Sequence, residues 1–243
     1  MQLNDTKSAL DINETTEFYE NVLEVWPTDD MWHQYSKQMI EKFIKKNQKR
    51  LCGTILNAGS GGNIYGLTDK EMTHVDIAAN KISMFAKYVV SNIENMSFEN
   101  CSFDSCICVG SVINYCDAIK AISKISKVLK PNGYLILEYE SSYGYEYRFS
   151  SAYKKIAQPV YADYQGKKLK QWVYSPYYMK SILADSNLKI LKIKLFHIAS
   201  GLNYSCTKDI IKATSYTKYD SILCYIPPFC LHANNEIYLC KKL

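Results

Sequence analysis

The chain predicts an α/β fold: a doubly wound, mostly parallel, seven-stranded sheet with helices on both faces. Three observations predict it. Short apolar runs alternate with segments of helical spacing, as in sheets whose strands are buried on both faces. A burst of glycine, ILNAGSGGN at residues 55–63, follows the first of these runs. A Pro131-Asn132-Gly133 stop then separates a long amphipathic stretch from another apolar run.

Thr15 to Lys46 reads as helical with a break at Pro27, since proline removes a donor and clashes with the preceding turn. Thr54–Ala58 and Met72–Asp76 are short buried strands, and Ala78–Ala86 is helical. Tyr88–Ser91 and Ser105–Val109 are strands three and four. Ala118–Leu129 carries apolar residues at Ala118, Ile119, Ile122, Ile125, Val128 and Leu129, which is helical spacing. Tyr134–Tyr139 is strand five. After Glu140 the texture changes: a Tyr-dense segment intervenes before the alternation resumes with a helix at Pro176–Asp185 and strands at Leu188–Ile198 and Asn235–Lys241. A segment of that length between two elements of a compact domain reads as a cap over the sheet edge.

The composition narrows the function classes. The net charge is +5, yet Arg50 and Arg148 are the only arginines, so the two-pronged reader of phosphate and guanine is nearly absent. Scattered lysines of this kind read as a solvated surface, not a nucleic-acid groove. The start, MQLNDTKSALDINE, has no apolar run, and no window has the length of a membrane span. Nine cysteines without a secretory leader imply free thiols and a cytoplasmic location. Cys224, Cys230 and His232 fit no standard zinc spacing, so no metal is expected.

Glycine permits positive φ and lets another molecule approach the backbone. Between a strand and a helix it exposes amide N–H groups, and ligands of open parallel sheets bind at the carboxyl ends of strands. Asp76 closes the second strand 17 residues after Gly59 (76 − 59), where a carboxylate accepts both hydroxyls of a ribose. Ile77 beside it suits an adenine ring, and Asn92 after strand three suits the adenine amino group. A dinucleotide fingerprint needs Gly-x-Gly-x-x-Gly, but the sixth position from Gly59 is Ile64.

This order resembles the class I S-adenosylmethionine-dependent methyltransferases. Their first motif is matched by Asn57-Ala58-Gly59-Ser60-Gly61-Gly62-Asn63, and their ribose acid by Asp76. Their turn before strand four is similar to Met96-Ser97-Phe98, and their turn before strand five to Lys130-Pro131-Asn132-Gly133. The resemblance covers about residues 50–140, with a looser echo to the end of the chain. It implies an antiparallel last strand and one methyltransferase domain over 1–243: a helical cover (1–50), a cofactor half (51–140), a cap insertion (141–175) and the rest of the sheet (176–243). Three positions depart from the family pattern: Asn57 for the motif's acid, Asn63 for its third glycine and Asn92 for the adenine-binding acid.

The implied cofactor is S-adenosylmethionine, with S-adenosylhomocysteine as product. Its expected contacts are Asn57, Ala58, Gly59, Ser60, Gly61, Asp76, Ile77, Asn92, Ile93, Val109 and Gly110. His33 and Tyr115 are the candidate catalytic residues, His33 because its ordinary pKa lies nearest neutrality. Tyr19, Trp32, Glu138 and Tyr143 are the candidate substrate contacts. Asn114-Tyr115 lacks the double proline of base-directed amino-methyltransferases, and Ile226-Pro227-Pro228-Phe229 lies after strand six as a turn. The expected acceptor is a small molecule methylated on O or N beneath the Tyr-rich cap. A protein or nucleic-acid acceptor and a non-catalytic cofactor-binding subunit remain as alternatives, and the oligomeric state is open.

Overall fold

Strand β1 (Ile55–Ala58) is buried at every position, because it lies between two neighbours and under two layers of helix, with Ile55, Leu56 and Ala58 apolar and Asn57 satisfied by the Asn63 carbonyl. In the computed structural model, which describes residues 12–68 and 70–243, β1 pairs in parallel with β2 (Met72–Asp76) and β4 (Phe103–Cys108). β3 (Tyr88–Val90) adds outside β2, and β5 (Leu129–Glu140) outside β4, all parallel. β9 (Asn235–Lys242) then inserts antiparallel between β5 and β8 (Leu188–Phe196). The order is β3-β2-β1-β4-β5-β9-β8, so the strand order reverses between β1 and β4. The seven strands and the antiparallel last strand agree with the sequence reading. Residues 1–11 of the expected helical cover lie outside the described residues.

Side-chain alternation along the strands builds two core layers. Leu56, Cys106, Leu135 and Leu137 face α4 (Ala118–Val128) and α5 (Pro176–Asp185). Ile55, Ile107, Ile136 and Leu239 face α2 (Met31–Asn47). Asp117 caps α4 by accepting the N–H groups of Ile119 and Lys120 at 3.0 and 3.2 Å. α2 buries Trp32, Ser36, Ile40, Phe43, Ile44 and Asn47, one face of a helix. α1 (Ile12–Asn21) precedes it, and the expected break falls at residues 22–30.

Two expectations are corrected. The helix placed at Ala78–Ala86 is a single turn, α3 (Ala79–Ile82). The chain leaves it early so that Phe85 stacks on His74, with ring centroids 3.6 Å apart, and β3 reaches its register. Residues 199–234 carry helices that the periodicity did not reveal: α6 (Ala199–Thr207), α7 (Ile210–Thr214) and α8 (Asp220–Leu223). They are too short to display a period. Buried Asp220 secures them, accepting the N–H groups of Ile198 and Ala199 and the Tyr35 hydroxyl at 3.1, 2.8 and 3.1 Å.

The Tyr-rich insertion folds as a hairpin of β6 (Ala157–Tyr164) and β7 (Lys167–Tyr174). Its turn, Gln165-Gly166, has positive φ at both positions, matching the twist of a tight hairpin. The tip clasps the α1–α2 connection: the Tyr164 hydroxyl donates to the Val25 carbonyl, and Gln165 Nε2 to that of Glu24 at 2.8 Å. All nine cysteines are free. Among the described residues no helix is long and apolar enough to cross a membrane, and no group of three or more His, Cys, Asp or Glu residues is placed to hold a metal ion.

Candidate functional site

The reversal of strand order leaves a crevice at the carboxyl ends of β1 and β4, and the glycine loop enters it. Gly59, Gly61 and Gly62 all have positive φ. Asp76, at the end of β2, binds this loop directly: Oδ2 accepts the Gly61 N–H at 2.7 Å, and Oδ1 accepts that of Ala78 at 2.9 Å. Burial pushes the Asp76 carboxyl upward, while these backbone N–H groups oppose the rise. Each oxygen retains a second lone pair.

Beside the loop lies a cavity whose walls include Gly59, Ser60, Gly61, Asp76, Ile77, Asn92, Ile93, Val109 and Gly110. Nine of the eleven residues expected to contact the cofactor are therefore together on one wall. Asn57 and Ala58 lie beneath it instead. Buried Asn57 donates from Nδ2 to the Asn63 carbonyl at 2.7 Å, closing the loop on itself. Asn92 meets the cavity as expected, and its Oδ1 also accepts the Glu94 N–H at 2.9 Å. The remaining walls come from α1 and the segment after it, including Thr15, Val25 and Trp26, and from Tyr65, Val112, Tyr115 and Cys116. The geometry fits an adenosyl group: a cradle of near-naked backbone at one end, a carboxylate in the middle and apolar side chains beyond it.

A second cavity adjoins the first. Tyr19, Val25, Trp26, Gly110 and Tyr115 line both, so these residues form a partition between them. The far walls bear Trp32, His33, Glu138, Glu140, Glu146 and Gln171, with Tyr161 and Tyr164 from the hairpin. His33 is positioned by its own helix start. Asp30 caps α2 by accepting the His33 N–H at 3.0 Å, and its other oxygen meets His33 Nδ1 at 2.5 Å. Burial pushes the Asp30 carboxyl up, but the contacts with His33 outweigh it and hold the group below its ordinary value. A carboxylate on Nδ1 fixes the proton there and leaves the lone pair on Nε2. The rings of Tyr19 and Tyr115 meet edge to face at 5.9 Å.

Glu138, at the end of β5, is 1% exposed. Its oxygens accept the Ser111 N–H at 2.6 Å and Asn235 Nδ2 at 2.8 Å. Burial raises its carboxyl to about 7, with the neighbouring Glu140 adding to the rise. Glu146 rises to about 8 for the same two reasons. Both groups bind protons in the native chain that the unfolded chain gives up near pH 4.5. The stability they contribute is complete below that pH and is lost as pH rises through 7 and 8. Urea melts from pH 5 to 8.5 should show declining stability, and Glu138→Gln should flatten the decline by about 2–3 kcal/mol. An unchanged slope in that variant would contradict the assignment.

Tyr143 lies outside both cavities. Its ring packs on Tyr177 and His232, and its carbonyl contacts His232 Nδ1 at 3.1 Å, because the chain turns away after Ser142. The other histidines are structural. His197 stacks on Trp32 at 3.9 Å and contacts Ser36 Oγ and Ser200 Oγ. His74 is buried against Phe85.

Residues 52–137 match the family model of a methyltransferase domain. An uncharacterized protein of Methanocaldococcus jannaschii is 29% identical over 103 residues, 40% of this chain and 45% of that protein. The chain thus matches less than half the length of this curated relative. Among solved structures, the Burkholderia thailandensis 1,6-didemethyltoxoflavin-N1-methyltransferase, with 1,6-didemethyltoxoflavin and S-adenosylhomocysteine bound, superposes with a TM-score of 0.58. It is 11% identical, and the match covers 95% of this chain and 86% of that one. The (4+2)-cyclase SpnF superposes at 0.60 with 13% identity, covering 98% and 99%. Residues 52–137 are thus a methyltransferase domain, and the chain has the fold of the class I S-adenosylmethionine-dependent methyltransferases.

Proposed function

We propose that the chain is an S-adenosylmethionine-dependent methyltransferase that methylates an O or N atom of a small molecule held beneath the hairpin. The observation that carries this reading is the partition: a cofactor-shaped cavity and a second cavity share Tyr19, Val25, Trp26, Gly110 and Tyr115. A methyl donor in the first and an acceptor in the second would meet there. The sulfonium of the cofactor supplies a methyl group already activated for transfer.

The protein's own residues align the reactants and exclude water. Gly59, Ser60, Gly61, Asp76, Ile77, Asn92, Ile93, Val109 and Gly110 hold the cofactor, while Asn57 and Ala58 shape the loop from below. Tyr19, Trp32 and Glu138 contact the acceptor, and Tyr115 orders the partition. His33, with its Nε2 lone pair, is the base for a hydroxyl acceptor. Tyr143 has no part in this arrangement. The matched 1,6-didemethyltoxoflavin-N1-methyltransferase carries 1,6-didemethyltoxoflavin together with S-adenosylhomocysteine, which supports the small-molecule class. The aromatic walls, with no lysine or arginine among them, favour it over a nucleic-acid acceptor.

Calorimetric titration with S-adenosylhomocysteine, followed by screening for transfer of labelled methyl from S-adenosylmethionine to small molecules, tests the reading. Binding with transfer supports it. Failure to bind the cofactor overturns it. Binding with label transferred only to macromolecules overturns the acceptor class.

A further inference from the structure

We infer that the acceptor carries a primary or secondary ammonium group, recognised in the second cavity by Glu138, Glu140 and Glu146. This inference rests on the reading above and gives that site its substrate class.

The cavity has a one-sided charge. Three glutamates and Asp163 line it, and no lysine or arginine does. His33 is its one basic side chain, and Asp30 already pairs with that ring. Among the described residues none of the three glutamates has an ion pair within 4.0 Å. Lys208, over the Tyr204 ring at 5.3 Å, reaches Glu146 through its field alone. A phosphate or carboxylate ligand would find no cation here, whereas an ammonium can displace the protons that burial keeps on Glu138 and Glu146, whose carboxyls rise to about 7 and about 8.

The carboxylates are held in place yet incompletely used. Glu140 Oε2 accepts both the Tyr147 hydroxyl at 2.8 Å and Gln171 Nε2 at 2.7 Å, leaving Oε1 with no hydrogen bond among the described residues. Glu146 Oε2 accepts Asn234 Nδ2 at 2.8 Å, and its Oε1 is likewise open. An ammonium has N–H donors for such oxygens. The walls around them are aromatic: Trp26, Trp32, Tyr115, Tyr161, Tyr164 and Tyr204. Ring faces attract cations and accommodate the carbon skeleton attached to them. Carboxylates at this end also offset the repulsion between an ammonium and the cofactor's sulfonium across the partition.

The chemistry balances. The ammonium gives one proton to the Glu138 carboxylate. The nitrogen lone pair so freed forms the N–C bond to the methyl group as the S–C bond breaks, and that electron pair stays on sulfur. A methylated ammonium and a neutral thioether result. The groups facing Glu138 are Glu140, Asn235 and the Gly110 and Ser111 amides, with Cys108 and Tyr65 behind them. None of them carries a positive charge, so burial holds the Glu138 carboxyl up at about 7, where it can take a proton near neutrality.

The test uses the protein saturated with S-adenosylhomocysteine, titrated with two series of constant skeleton: tyramine, tyrosol and 4-hydroxyphenylacetate; benzylamine, benzyl alcohol and benzoate. At least one amine should bind about 10-fold or more tighter than its alcohol, with no binding of the carboxylates. Repeating the titration at pH 7 in buffers of different ionisation heat should show proton release on amine binding. Glu140→Gln and Glu146→Gln, each checked for native circular dichroism, should erase the preference for the amine while leaving the alcohol unchanged. Equal or tighter binding of the alcohols or carboxylates overturns the inference. So does an undiminished preference in both variants, or no amine binding by protein that holds the cofactor product. Failure to bind S-adenosylhomocysteine instead overturns the underlying methyltransferase reading.

Discussion

Asp76→Ala should abolish binding of S-adenosylhomocysteine, while His33→Ala leaves it intact. Asp76 is 8% exposed and does two things at once. It presents a carboxylate to the cofactor cavity, and it holds the glycine loop through the Gly61 N–H at 2.7 Å. Alanine removes the acceptor for a ligand's hydroxyls and leaves the Gly61 and Ala78 amides without their partner. Hydrogen bonds to a charged group contribute roughly 1.5–3 kcal/mol each, so losing two corresponds to a fall in affinity of about 100-fold or more. His33 lines only the second cavity, and its removal leaves the loop and β2 untouched. Calorimetry on both variants decides the matter: equal loss in the two would refute the division of roles.

Gly62→Ala should destabilise the fold by about 2–4 kcal/mol and remove cofactor binding with it. Gly62 has a φ of +78°, and a Cβ placed there would sit 2.6 Å from the Lys81 carbonyl oxygen. The left-handed backbone alone costs an alanine about 1–2 kcal/mol. The obstacle is main chain of α3, which cannot swing aside. Gly59→Ala is the instructive contrast. Its φ is +69°, but its Cβ would meet the Val112 side chain, with Cγ1 at 2.3 Å. Val112→Ala should therefore restore part of the stability lost in Gly59→Ala and none of that lost in Gly62→Ala. Urea melts of the two double variants measure this, and equal rescue would show that the α3 carbonyl yields.

The central sheet was legible because its buried parallel strands are short segments rich in apolar residues between polar turns, as ILNA and FDSCIC show. Gly59 and Asp76 were legible because a phosphate-type loop and an acid at the next strand end have a fixed spacing. What lay hidden was set by long-range packing. Glu146 reaches the second cavity only because the turn at Tyr145–Tyr147 rests on Asn234, which accepts the Glu146 N–H at 3.1 Å. Val25 becomes a wall because the hairpin tip clasps it, a contact between residues 139 apart. The helices at 199–223 are too brief to print a period. Tyr143 misled for the reverse reason: an aromatic residue in the right segment points to Tyr177 and His232, away from the crevice.

The hairpin strand β6 touches one chamber and not the other. Tyr161, Ala162, Asp163 and Tyr164 border the second cavity alone, the proposed acceptor side, and Tyr161 is largely open to solvent. Tyr19 and Tyr115 have no such independence, since any change to them is felt by both ligands. Selection for a new acceptor thus has an unencumbered route through this ribbon, with donor affinity preserved. Related chains of altered specificity should diverge there first, while the shared tyrosines stay under the constraint of serving two guests.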